Sequence, residues 1–537
     1  MAQTPVSFDE KEKIWSGPHR KTMSKDETSL GEIIFQNMRA SPNNICQICD
    51  VDGVSVTFDQ ALTWAIRMAQ FFKKKGLGHN DVIGILAENS TLLMPLGVAC
   101  LMNGTPFHTV NPMWNEALIC HILSLTKPLL IFCDGNAYEK IYKATIEWQP
   151  EIYILRDHVE GVPSIKTLLD PTTSEGSYQP EPLREGGDQT VAMLCSSGTT
   201  ALPKAVCISN SRLMPLQGVS SGSVIFTWGT LSWISGLWGL VNSTALNCTR
   251  IISRKPFSAE YLVHLVENYK INVIGLPPSH VYDLVNCPMA TSRSLGSIRL
   301  LICGGGVAST AILQRCQKLC ENGTVSNTYA MSETGTICRA GGLTHGGTVG
   351  RPVPGYRIRI VDEQGVSQGH NQIGEIYVHS GLGWKGYYGN SEESRRMQDP
   401  DGWFHTGDLG YFDEQNFLFV VDRKKEILKY QQRPYWPAEI EKVILELPQV
   451  ENVCVVGIFD EEVGDKAGAL VVRSNETNIS AKEIVNHVAK RLPELRRQLH
   501  AGVKFTNKLP LNANGKIMRK EARDLFNALG DLSNDKF

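Results

Sequence analysis

The chain has 537 residues, well past the size at which one hydrophobic core stops growing, so two or more packed units are expected. A formal net charge of -2 provides no broad cationic surface, which argues against nucleic acid or anionic lipid and leaves small molecules as partners. The 14 cysteines are scattered through apolar runs rather than set in a dense framework, the usage of a reduced, cytoplasmic chain.

In chain order, the opening MAQTPVSFDEKEKIW mixes acids and bases and lacks the apolar run of a signal peptide. Cys46-x-x-Cys49 has redox or metal spacing, but no second pair supplies four zinc ligands, so two buried thiols are expected. From Phe58 to Cys303, helical patterns such as QALTWAIRMAQFFKKKG precede short apolar runs such as DVIGILA, LLIFCD and VIGLP. That alternation predicts an α/β unit of parallel strands with ligand-binding loops at their carboxyl edge. The stretch between Arg212 and Arg250 carries no charge and is long enough to cross a bilayer. Its Gly, Ser and Thr content and β-like opening at residues 224–228 point instead to a buried strand and helix, so no transmembrane segment is expected.

After Gly350 the texture changes to RIRIVDEQG and IGEIYVHSG, alternating strands that close the large unit. Past Asp422, PAEIEKVILEL and SAKEIVNHVAKRL read as amphipathic helices and NVCVVGIFD and GALVVR as strands. The expected architecture is α/β, with a large multi-subdomain unit of mixed sheets over 1–421 and a small mobile α+β domain over 422–537. The charged joint VVDRKKEILKY is its hinge.

The most informative motif is Cys195-Ser196-Ser197-Gly198-Thr199-Thr200-Ala201-Leu202-Pro203-Lys204, which follows the apolar strand VAML. Hydroxyls, a glycine and a lysine after a strand are the parts needed to fold around phosphate oxygens. Taken alone, the segment also reads as a polar surface loop. It is not the loop of nucleotide hydrolases, because Pro203 stands where that motif needs its second glycine. Gly381-x-Gly383-x-x-Gly386 fits a dinucleotide fingerprint in letters only, since the following YYGNSEES is turn-like. Gly218-x-Ser220-x-Gly222 lacks the strand that a nucleophile elbow requires. Gly304, Gly305 and Gly306 follow the strand LLIC, where glycines let a flat ring lie against backbone or simply make a tight turn.

SSGTTALPK resembles the phosphate loop of the adenylate-forming superfamily, which includes acyl-CoA synthetases and firefly luciferase. Tyr329-Ala330-Met331-Ser332-Glu333, Thr406-Gly407-Asp408, Asp422-Arg423 with Lys429, and Pro510-Leu511-Asn512 with Asn514-Gly515-Lys516 resemble its later motifs in order. The overall texture is most similar to the insect luciferase-like fatty acyl-CoA synthetases. The resemblance implies a ligase that consumes ATP and CoA with a medium- or long-chain fatty acid, by way of an acyl-adenylate. It also implies an adenylate-former without CoA transfer, or a silent lipid- or nucleotide-binding homologue, as alternatives. Relatives of this kind leave a peroxisomal address open beside the cytoplasmic one, although the NDKF terminus carries no SKL-type signal.

Carried over residue by residue, the resemblance gives Ser196, Ser197, Gly198, Thr199, Thr200 and Lys204 to the phosphates and Glu333 to Mg²⁺. Ser332 goes to the α-phosphate, and Gly304, Gly305, Gly306, Tyr329, Ala330 and Met331 to the nucleotide. Asp408 takes the ribose with help from Arg423. Lys516 bridges the carboxylate and the α-phosphate, and after rotation about Asp422, Lys429 serves thioester formation. Trp233, Ile234, Ser235, Gly236, Leu237 and Thr336 fall at the acyl pocket. Three positions depart from the pattern. Ala201 and Ala205 replace glycines, with an expected cost of about 1 kcal/mol each if the sites need positive φ. Gln432 replaces the glycine beside the CoA path, where its side chain either narrows that path in the second orientation of the small domain or, if Arg433 and Pro434 reshape the segment, points to solvent.

Overall fold

The computed structural model describes residues 6–20, 28–196, 202–215, 219–306, 308–342, 346–474, 478–511 and 517–529. Three sheets build the large unit and a fourth the small one. In the first, strands Phe107–Thr109, Ile83–Leu86, Leu130–Asp134 and Glu151–Arg156 run parallel to Thr190–Cys195, and Ala205–Ser209 adds an antiparallel edge. The second has nine strands, whose parallel centre Thr324–Met331, Leu300–Gly304, Val273–Leu276, Val224–Thr227, Thr249–Ile252 and Ile45–Cys49 is flanked by antiparallel edges. These are the alternating runs of the first half, buried on both faces as parallel strands must be.

Helix Phe58–Lys74 starts with a capping box between Thr57 and Gln60, and its buried stripe includes Ala61, Ala65, Met68 and Phe72. Helix Leu93–Asn103 is buried on every side, which suits its lack of any charged residue, and stops at Gly104 with φ +68°. The charge-free stretch folds as strand Val224–Thr227 and the 12-residue helix Ile234–Ala245. Twelve residues rise about 18 Å against a hydrocarbon core of about 30 Å. Among the described residues no helix is long and apolar enough to cross a membrane.

Strands Arg357–Val361, Gly374–His379, Phe404–Phe412 and Leu418–Arg423 form an antiparallel sheet with two amino-terminal strands, Ser7–Asp9 and Ile14–Ser16. Its last strand runs through Asp422 to Arg423, so the expected boundary at 422 falls inside a strand rather than in a loop. Beyond it, Val450–Asp460 and Gly464–Arg473 make a long hairpin packed by helices Pro437–Ile444 and Ala481–Arg491. The second helix has a capping box from Ser480 to Glu483. Cys46 and Cys49 are buried, and their thiols donate to the Val56 carbonyl at 3.2 Å and to Asp52 Oδ2 at 3.2 Å.

Candidate active site

The carboxyl ends of strands from two different sheets meet at one place. Cys195 ends a strand of the first sheet, and Thr227, Leu276, Gly304 and Met331 end strands of the second. Their loops border a cleft of about 3770 Å³, whose other wall includes Pro437, Glu441, Ile517 and Arg519 of the small unit.

The base of the phosphate loop is closed by backbone pairing. Ser196 N donates to Lys204 O at 2.8 Å, and Lys204 N donates to Ser196 Oγ at 3.0 Å. Ala205 then pairs opposite Cys195 in the antiparallel ladder and its φ is not positive. The strain expected of an alanine at 205 is therefore absent, because the position is a strand residue rather than part of the turn. Ser197, Gly198, Thr199, Thr200 and Ala201 lie outside the described residues. Lys204 Nζ stands 2.5 Å from Glu393 Oε1 and 4.9 Å from the centre of the Tyr387 ring. That hydrogen bond holds the Glu393 carboxyl below the usual carboxylate range.

Glu333 follows the strand that carries Tyr329 and is itself buried. Tyr387 donates its hydroxyl to Glu333 Oε1 at 2.8 Å, and burial first, then the Glu333 charge, pushes that hydroxyl's pKa up. Arg212 donates to the main-chain oxygen of Glu333 and also reaches Ser380 Oγ and the Gly383 carbonyl, each at 3.4 Å. These contacts fix the Glu333 turn from behind. A carboxylate oriented in this way fits Mg²⁺, which takes oxygen ligands and is usually bound through one or two carboxylates plus substrate phosphates.

The Thr406-Gly407-Asp408 corner is built inside strand Phe404–Phe412. Thr406 Oγ1 donates to Ile376 O at 2.7 Å and accepts from Asp408 N at 3.1 Å, with Gly407 at φ +69° between them. Asp408 is 6 % exposed. Tyr329 donates its hydroxyl to Oδ2 at 2.6 Å, and Arg423, opposite in the ladder, brings Nε within 3.2 Å of Oδ1. Gly304, Gly305, Gly306, Ala330, Met331 and Ser332 line the same cleft. Gly305 has φ +88°, a backbone that only glycine adopts without strain.

Trp233, Ile234, Ser235 and Thr336 line the cleft, but two expected pocket residues do not. Leu237 is fully buried in the main core, and Gly236 is small because the Thr230 backbone occupies the space a side chain would need. Lys516 lies outside the described residues, whereas Ile517, Met518 and Arg519 line the cleft. Lys429 is exposed on strand Leu428–Tyr430, its N–H donating to Asp465 Oδ2 at 3.0 Å, and is not among the lining residues. Asp422 accepts from Arg423 N at 2.7 Å and from Ala438 N, on the helix of the small unit, at 3.1 Å. Gln432 is exposed in a two-residue turn, at φ +63° after Gln431 at +48°. It faces solvent in this arrangement, because the turn puts both glutamines at the tip.

Sequence reasoning missed Tyr387, Arg212 and Glu393. Tyr387 and Glu393 stand in YYGNSEES, which shows only turn chemistry, and Arg212 opens the charge-free stretch with no motif around it.

Comparison with known proteins agrees with this architecture. The AMP-binding enzyme family matches residues 34–388, and the AMP-binding enzyme C-terminal domain matches residues 439–516. The chain thus belongs to the AMP-binding enzymes, the adenylate-forming superfamily that holds CoA ligases and luciferases. It is 28% identical over 516 residues to 4-coumarate--CoA ligase 3 of Oryza sativa subsp. japonica, covering 92% of each chain. It is 27% identical over 497 residues to luciferin 4-monooxygenase of Photinus pyralis, covering 88% of this chain and 89% of that one. ATP-bound MatB from Rhodopseudomonas palustris superposes with a TM-score of 0.82 at 22% identity, over 93% of this chain and 100% of that one, a likeness of fold. The luciferase-like enzyme of the nonluminescent Zophobas morio mealworm superposes at 0.69 with 28% identity, over 76% and 98%.

Proposed function

We propose that this protein activates a medium- or long-chain fatty acid with ATP and Mg²⁺ to an acyl-adenylate, passes the acyl group to CoA, and does so in the cytoplasm. The observation that carries the reading is the Asp408 carboxylate gripped by Tyr329 and Arg423 in the same cleft as Glu333 and Lys204. Two carboxylate oxygens suit the paired hydroxyls of a ribose.

Attack of a carboxylate on a phosphate brings two anions together, so catalysis rests on positioning and charge neutralisation. Lys204 supplies a cation that Glu393 holds until phosphate oxygens compete for it. Glu333 holds Mg²⁺, which screens the triphosphate when bound. Lys516 neutralises the incoming carboxylate, and Lys429 serves the thioester step from the opposite face of the 422–537 domain. Trp233 and Ile234 offer an apolar wall to the acyl body, with the Ser235 hydroxyl beside them.

The test is ATP/pyrophosphate exchange across a panel of carboxylic acids, followed by thioester analysis with CoA. Absence of exchange with every fatty acid sinks the reading. Exchange with acyl-AMP accumulating in place of thioester would point to an adenylate-former that does not use CoA.

A further inference from the structure

The lysine that closes the phosphate loop already has an anionic partner. Its main chain is fixed by the pairing with Ser196 and by the ladder that starts at Ala205, so only the side chain can move. That side chain ends 2.5 Å from Glu393 Oε1, and among the described residues Glu393 is the carboxylate that pairs with it. Both residues line the cleft, with 26% of the lysine side chain and 32% of the glutamate side chain exposed, so an entering anion can reach the pair.

Glu393 is held independently of the lysine. Its N–H donates to Asn390 Oδ1 at 3.1 Å where helix Ser391–Met397 starts, and its second oxygen, Oε2, lies 3.6 Å from Arg396 Nη1. The hydrogen bond to Lys204 and then the charge of Arg396 hold the carboxyl below its ordinary range, so it is ionised at neutral pH. Arg396 stays beside it when Lys204 leaves. Tyr387 belongs to the same turn, since its N–H donates to Ser394 Oγ at 2.8 Å and that hydroxyl donates to Asn390 O at 2.7 Å. The segment 387–394 thus sets one acceptor on Lys204 and one donor on the Glu333 carboxylate. A phosphate that recruits Lys204 must displace a carboxylate to do so.

We propose that Glu393 sets the affinity for polyphosphate: it competes with the β- and γ-phosphates of ATP for Lys204, and after adenylation it takes the lysine back so that pyrophosphate leaves. This rests on the adenylation reading above and adds the residue that tunes it. In that reaction a carboxylate oxygen of the acid bonds to the α-phosphorus while the bond to the α,β-bridging oxygen breaks, and pyrophosphate departs with that electron pair. The acyl-AMP left behind has no β- or γ-phosphate. Glu393 therefore acts on ATP and pyrophosphate, spares the adenylate, and touches no reacting atom.

The experiment is calorimetry of ATP with Mg²⁺, pyrophosphate with Mg²⁺, and AMP on wild type, Glu393→Gln, Glu393→Ala, Lys204→Met and the Lys204→Met/Glu393→Gln double variant. A charge-assisted pair that water partly screens is worth about a tenfold change in affinity. Glu393→Gln should bind ATP and pyrophosphate about tenfold more tightly than wild type and AMP equally well, and Glu393→Ala should show the same signs. In the Lys204→Met background most of that gain should vanish. Unaltered or weaker binding of ATP and pyrophosphate in both Glu393 variants, or the same gain without Lys204, overturns the proposal and leaves adenylation standing. Loss of AMP affinity along with the rest in both variants makes Glu393 a structural residue and also overturns it. If wild type binds neither ATP nor AMP, the adenylation reading fails, and pyrophosphate judges Glu393 separately: tighter binding to Glu393→Gln upholds the competition, and no gain overturns it.

Discussion

The turn at Gln431 and Gln432 is a conflict between residue type and backbone. A two-residue hairpin turn with both central φ angles positive normally draws Asn-Gly, because a Cβ costs energy there. Gln432→Gly removes one such Cβ and should stabilise the small unit by about 1 kcal/mol, read as a higher urea midpoint. Because the side chain is exposed in this arrangement, pyrophosphate exchange should stay at the wild-type rate, while single-turnover transfer from preformed acyl-AMP to CoA reports on the turned arrangement. A faster transfer would mean that Gln432 does obstruct CoA in another orientation. A second prediction concerns Tyr387, which orients the Glu333 carboxylate through one bond of 2.8 Å. Tyr387→Phe keeps the ring against Lys204 and deletes that bond, so the Mg²⁺ concentration for half-maximal exchange should rise about tenfold. An unchanged Mg²⁺ requirement would remove Glu333 from the metal's neighbourhood. Glu333 and Asp408 were legible because local motifs mark them. Their partners were not, since Tyr387, Arg212 and Glu393 reach their targets across 54, 121 and 189 residues of chain. Only the fold brings such pairs together.

At the level of elements, periodicity was a good guide wherever burial is one-sided or complete. QALTWAIRMAQFFKKKG became helix Phe58–Lys74, and LLIFCD became strand Leu130–Asp134. The joint was harder to read, because VVDRKKEILKY divides between a strand of one sheet and a strand of another. Asp422 links them by accepting the Ala438 N–H at the start of helix Pro437–Ile444. Burial raises its pKa from 3.8 to about 6, with Arg519 opposing. A carboxyl whose folded pKa is raised stabilises the fold fully below its unfolded value and loses that contribution as pH rises through the folded one. Wild-type stability should therefore fall between about pH 4 and 6 on account of this group. Asp422→Asn keeps an oxygen for Ala438 but cannot ionise. Its urea midpoint should be flatter across that window and no lower than wild type at pH 7. A variant with the full wild-type slope would assign the pH dependence to other groups.

For the whole molecule, the two lysines proposed for catalysis pose a geometric problem that one rigid arrangement does not solve. Ile517, Met518 and Arg519 line the cleft, whereas Lys429 lies exposed on the hairpin and is not part of the lining. A side chain outside the cleft cannot act on an adenylate held at Asp408 and Glu333 unless the small unit turns, and turning would move the 517–519 segment away. The two half-reactions should thus depend on different lysines. Lys516→Ala should lower pyrophosphate exchange by about a hundredfold or more, by loss of a charge-assisted contact made in the transition state, and spare thioester formation from supplied acyl-AMP. Lys429→Ala should leave exchange near wild type and slow thioester formation. Rapid-quench measurement of each half-reaction in both variants decides the matter. Equal loss of both steps in both variants would mean that a single arrangement serves the whole reaction, and that Lys429 acts from where it now stands, through the stability of its hairpin rather than through the substrate.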